Sequence, residues 1–127
     1  MHIPYEQIRK RPCDFIVKYK FYSPSEGGRK TGTPYQGYRS DFMYADEEVP
    51  NKMWMIHPEF LNMNGEVILE NTIHIPQEGK AQMWILDDTN LKIHRNRISI
   101  GQKGYFMEGS NKTAECEVIK IIRLATI

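Results

Sequence analysis

Phe15-Ile-Val-Lys-Tyr-Lys-Phe-Tyr22, Glu26-Gly27-Gly28-Arg29 and Gly37-Tyr38-Arg39-Ser-Asp-Phe42-Met-Tyr44 follow one another in the stretch whose period decides the fold. In the first run Val17, Tyr19 and Phe21 alternate with Lys18 and Lys20. Successive strand side chains point to opposite faces, so this run reads as a strand with one dry and one wet side. Tyr38, Ser40, Phe42 and Tyr44 alternate in the same way with Arg39, Asp41 and Met43. Ser23-Pro24, Gly27-Gly28, Gly32, Pro34 and Gly37 punctuate the interval as a long loop. Paired glycines permit positive φ and close passage of two backbones.

Period two continues outward. Met53–Ile56, Glu66–Leu69, Ala81–Leu86, Ile98–Ile100, Tyr105–Glu108 and Thr113–Ile122 are further strand candidates. Asn64-Gly65, flanked by Phe60-Leu61 and Val67-Ile68, predicts a two-residue hairpin. No window carries a clear amphipathic helix, and Pro58–Met63 allows one turn at most. Many short strands separated by turns predict an all-β barrel or sandwich.

The chain has 127 residues, enough for one domain with a single core. No stretch approaches the roughly 20 apolar residues of a membrane helix, and the first dozen residues lack a secretory apolar run. Two cysteines, Cys13 and Cys116, are too few for a disulfide framework. A reduced, cytoplasmic protein without membrane contact is therefore the expectation. Charge is uneven: residues 1–40 carry 8 Lys/Arg and 3 Asp/Glu, residues 41–88 carry 2 and 10, and residues 89–127 carry 7 and 3. Segregated charge of this kind makes opposed faces if the segments stay apart in space, and cancels if they mix.

Chemistry is harder to find. Gly27-Gly28-Arg29-Lys30-Thr31 fails the spacing of a phosphate-cradling loop and runs into Gly32-Thr33-Pro34 instead of a helix. His2, His57, His74 and His94 form no metal spacing with each other or with the cysteines. Cys13 and Cys116, expected on the first and last strands, read as neighbouring small buried side chains and not as a redox couple. No nucleophile, base and orienting group fall into a recognisable set. The sequence reads as a protein with no catalytic residues, no metal and no cofactor.

In order and spacing, the Glu-Gly-Gly-Arg loop and Gly37-Tyr38-Arg39 resemble the opening of the C-terminal (third) β-barrel domain of elongation factor Tu. Ile75-Pro76-Gln77-Glu78-Gly79 before Ala81–Leu86 resembles that family's Met-Pro-Gly-Asp before its long strand, and Gly104–Ile122 resembles its closing hairpin. The resemblance spans roughly residues 14–122. It implies a closed or nearly closed six-stranded antiparallel barrel, here with an extra hairpin insertion. Residues 1–12 read as a loosely held arm and residues 13–127 as the barrel, with insertions near 45–72 and 87–97, the latter lengthening a hairpin. In the family, the first loop and last turn touch the T stem of aminoacyl-tRNA. Carried across residue by residue, this leaves Arg29, Lys30, Thr31, Arg39 and Lys112 as expected contacts for phosphates or an acidic partner.

Three functions are consistent with that resemblance. One is a non-catalytic module engaging a protein through barrel face and loops. Another is a tRNA- or RNA-binding module that adds Lys92, Arg95 and Arg97 to the contacts and stacks bases on Tyr35, Tyr38 or Tyr105. The third is a decoy or immunity protein that mimics the translation factor. Trp54 and Trp84 are expected in core strands, against the rival of an exposed aromatic patch on the insertion.

Overall fold

The computed structural model describes residues 1–127. Six strands form one antiparallel sheet: β1 (Phe15–Phe21), β2 (Asp41–Tyr44), β3 (Ile56–Phe60), β4 (Glu78–Ile85), β5 (Lys103–Glu108) and β6 (Asn111–Ile121). Their spatial order is β2-β5-β6-β1-β4-β3. The sheet curls through 230°, a half-barrel. The all-β architecture and strand number follow the period of the sequence. Full closure by a continuous ladder does not.

The edges are joined by other means. Trp54, just before β3, exchanges two hydrogen bonds of 2.9 Å with Phe42 of β2. Farther along the edge, the Gln36 carboxamide stands in for a neighbouring strand. It accepts from Phe60 N at 2.9 Å and donates to the Phe60 and Ile68 carbonyls, also at 2.9 Å. Pro58 lies inside β3, where the sequence reading allowed only a helical turn. Proline is tolerated on an edge strand because the missing N–H orphans no neighbour.

The concave side holds the core. Phe15, Val17, Tyr19 and Phe21 of β1 face Phe42, Tyr44, Ile56, Phe60, Met83 and Phe106, all buried. The rings interlock: Tyr19 lies 5.1 Å from Phe60 and Phe21 lies 5.8 Å from Phe106, centroid to centroid. Each such side chain contributes about 1.5–3 kcal/mol by leaving water. Facing strands make room with small residues. A Cβ on Gly104 would collide with the Phe42 ring, so glycine is required there by packing.

Several expectations are corrected. Residues 87–97 do not lengthen a hairpin: Asp87 caps a one-turn 3-10 segment (Asp88–Asn90), and a helix follows at Leu91–Arg97 (α2). The run Leu-Lys-Ile-His-Arg-Asn-Arg has too few apolar residues to display a helical period, and its single buried side chain is a histidine, His94. The Asn64-Gly65 turn exists, but pairs only Leu61 with Val67 and builds no second strand. Ile98–Ile100 is not a strand; Ile98 ends α2. Residues 1–12 are anchored to the wall, with a short helix at Tyr5–Arg9 (α1) and His2 buried. Cys116 pairs with Tyr19 while Cys13 precedes β1, so the thiols lie about six residues, or ~20 Å, apart along the strand. No helix is long and apolar enough to cross a membrane.

Candidate binding surface

Four adjacent strands, β4, β1, β6 and β5, carry the polar alternates of the core residues on their outer side. Register sets Lys18 opposite Glu117, and Glu117 opposite Lys103. One pleat along, Glu78 stands opposite Lys20, Lys20 opposite Glu115, and Glu115 opposite Tyr105. Between these two charged rows runs a third made of Gly79, Tyr19, Cys116 and Gly104. Tyr19 and Cys116 turn inward, and the glycines have no side chain. The result is a trough of about 570 Å³ across the wall.

The charges lining it are loosely engaged. Lys18 and Glu117 approach only to 3.9 Å, and Lys20 and Lys103 make no ion pair. Glu115 accepts a 3.0 Å hydrogen bond from the Tyr22 hydroxyl. Exposed cross-strand pairs contribute about 0.2–1 kcal/mol, so these ends can change partner at little cost. Basic and acidic segments of the chain thus mix on this wall instead of forming opposed faces.

Of the five expected contacts, the structure gathers four near the turn between β5 and β6. Arg29 ion-pairs with Glu108, lies 5.3 Å over the Tyr38 ring and donates to the Gly32 carbonyl at 2.9 Å. Lys30 and Thr31 follow it on the same loop and are exposed. Lys112 lies 4.1 Å above Tyr105, which lines the trough. Arg39 is elsewhere: it is exposed and raises the local positive potential at His57 and Tyr5.

The residues named for nucleic acid also divide. Arg97 is held by Glu47 at 2.8 Å and Asp46 at 3.4 Å, and stacks 3.8 Å over Tyr44. Lys92 and Arg95 are exposed on α2. Tyr38 is half-buried, its hydroxyl held by Glu108 and Thr113, so its ring is not presented to a base. Tyr35 is exposed but tilts against His74 at 4.6 Å.

Neither thiol is poised for chemistry. Burial pushes Cys13 up to about 12, with Asp14 and Glu59 adding to the effect. Burial also pushes Cys116 far above the usual thiol range. Low-pKa thiolates need electropositive, accessible surroundings, which both lack. No group of three or more His, Cys, Asp or Glu side chains is placed to hold a metal ion.

Trp84 and Trp54 have different surroundings. Trp84 is fully buried on the outer side of β4, donating from Nε1 to Glu59 at 3.1 Å beneath Tyr5 and Arg11. Trp54 is half-buried, with Lys52 4.6 Å over its ring. Sequence reasoning missed Lys20, Glu78, Lys103, Glu115 and Glu117 as a group. Their alternation was visible, but the register that assembles them was not.

No protein-family model matches this chain, and no curated protein matches it.

Proposed function

We propose that this protein is a non-catalytic binding module, resembling the C-terminal domain of elongation factor Tu, that engages a protein partner through its barrel face and loops. The observation that carries the reading is the trough on the outer wall, bordered by Lys20, Lys103 and Glu78 with uncommitted charges of both signs. A polyanion rewards cations only. A polypeptide surface offers carboxylates, ammoniums and backbone groups together, and matches mixed walls through electrostatic complementarity. The loop bearing Arg29, Lys30 and Thr31 meets the end of β5 through Glu108, and Lys112 lies over Tyr105 of the same strand. The test is affinity capture from the source cell with the wild type and with Lys20→Glu/Lys103→Glu. The reading expects a discrete partner that the double variant loses; equal capture by both proteins overturns it.

A second reading rests on the cluster of Arg29, Lys30 and Lys112 near one turn, with Lys92 and Arg95 exposed on α2. This is RNA binding through phosphates. It expects a tRNA mobility shift that weakens steeply as salt rises from 50 to 200 mM. No shift at the lower salt removes it.

A further inference from the structure

A second, smaller cavity of about 180 Å³ opens where Trp54 bridges the sheet edges, away from the trough. Its deep end is Ile85 and His94, each 1% exposed. Trp54 and Met55 form apolar walls, and Lys52 and Asp87 stand at the mouth with opposite charge. An engineered cavity of about 150 Å³ is known to admit benzene, so this one has room for a single ring.

His94 decides what that ring must carry. Its Nδ1 lies 2.7 Å from the Tyr44 hydroxyl. That hydroxyl is buried and has no other acceptor, so it donates to Nδ1, because a buried donor left without a partner costs about 1–3 kcal/mol. Burial, reinforced by the positive charge of Arg97, lowers the His94 pKa to about 4 and keeps the ring neutral. The remaining proton is therefore assigned to Nε2. Nε2 has no protein partner, yet it is not sealed: the enclosed side-chain atoms without partners are Ser40 Oγ and Trp54 Nε1 alone. It is thus an oriented N–H donor in the deep end of a mixed cavity, lined by Met53, Trp54 and Met55 together with Lys52, Asp87 and Asn90. A neutral acceptor suits it. A carboxylate would surrender its hydration for one uncharged donor, and Lys52 and Asp87 together give its charge no net attraction.

We infer that this cavity is a binding site for a phenolic ring, its oxygen accepting from His94 Nε2–H and its body held between Trp54 and Met55. The ring belongs either to a tyrosine of a bound polypeptide or to a free small phenol. The test is NMR titration of the wild type with p-cresol and with toluene, following the His94 side-chain nitrogens and the Trp54 indole. The expected result is p-cresol binding about tenfold tighter than toluene, with Nε2 shifting. Equal binding by both, or no perturbation at millimolar p-cresol, overturns the inference. Tyr44→Phe removes the hydroxyl that fixes the tautomer and is expected to shrink the p-cresol preference several-fold with the fold intact; an unchanged preference also overturns it. N-acetyltyrosinamide distinguishes the sources: binding comparable to p-cresol assigns the site to a peptide-borne ring, and exclusion assigns it to a free phenol.

Discussion

Glu59 points outward from β3, yet its carboxylate is fully buried, with the His2 imidazole nitrogen 2.6 Å away. The first residues of the chain supply that burial. Tyr5 N donates to the same carboxylate at 2.8 Å, and Trp84 Nε1 donates to its other oxygen at 3.1 Å. An acid stays buried when donors reach both of its oxygens, as these three do. The arm therefore acts as a cover over an otherwise unfavourable side chain of the outer wall.

His2→Ala is expected to destabilise the fold by about 1–3 kcal/mol, the cost of leaving a buried acceptor short of one donor. Chemical denaturation followed by tryptophan fluorescence measures this directly, since Trp84 shares the carboxylate. An unchanged midpoint would show that the arm carries no stability. Glu59→Gln keeps an acceptor for only one of Tyr5 N and Trp84 Nε1 and turns its NH2 toward the other, but it preserves the side-chain volume and should lose less than Glu59→Ala.

The two glycines of the Glu26–Arg29 loop have different duties. Gly27 adopts φ +91° with open space around it, so Gly27→Ala costs the left-handed conformation alone, about 1–2 kcal/mol. Gly28 has an ordinary φ, but an added Cβ would strike the Tyr22 carbonyl and the Ser23 carbonyl, backbone atoms that cannot rotate away. Gly28→Ala is expected to cost about 3 kcal/mol. Paired thermal melts check the order, and a milder Gly28 variant would contradict the packing argument.

What the sequence disclosed and what it withheld divide along physical lines. β1 was legible because Val17, Tyr19 and Phe21 alternate strictly with lysines, and the structure buries that set. The glycine pair was legible because a positive φ at Gly27 and a tight backbone passage at Gly28 both call for glycine. The edge at Pro58 was not, because a proline reads as a stop unless the position of the strand in the sheet is known. Helix α2 was hidden since its buried residue is polar. The trough depends on Lys20, Glu115 and Tyr105 falling in one row, which only register determines. Likewise His94 reads as an isolated histidine until Tyr44 and Trp54 are brought around it.

Asp14 precedes β1 and is the second fully buried carboxylate. Arg123 Nε reaches it at 2.6 Å, Arg11 at 3.3 Å, and Ile85 N donates to it at 2.7 Å. It ties both ends of the chain to β4. Asp14→Ala leaves a buried backbone donor unpaired and reduces Arg123 to Asp88 and Arg11 to backbone carbonyls, and is expected to cost about 3 kcal/mol. Arg123→Ala alone should cost less, because Arg11 and Ile85 N remain. Urea midpoints for the two variants test the ranking.

The fold should weaken on mild acidification, and His94 is the reason. Its folded pKa is depressed from the ordinary 6.5 to about 4 by burial and by Arg97. Burial, with Arg39, lowers His57 in the same sense. Above pH 6.5 the folded and unfolded chains both hold a neutral His94, and its contribution is fully present. Between 6.5 and about 4 the unfolded chain takes up a proton that the folded chain refuses, so stability falls with pH. Below about 4 the folded ring is protonated too and the loss levels off. At ~1.4 kcal/mol per pKa unit the drop is at most about 3.5 kcal/mol, and about 2 where water entering the cavity screens the ring. Carboxylates held low by hydrogen bonds, such as Glu47 beside Arg97, lose their contribution in the same sense as pH falls through the ordinary carboxylate range, so the histidine part is read at the upper end of the window. Unfolding free energies at pH 7, 6, 5 and 4.5 should trace the decline, and His94→Gln should flatten most of the slope whatever its own stability. A wild-type curve flat across that range would mean that the ring is not held neutral in the folded protein.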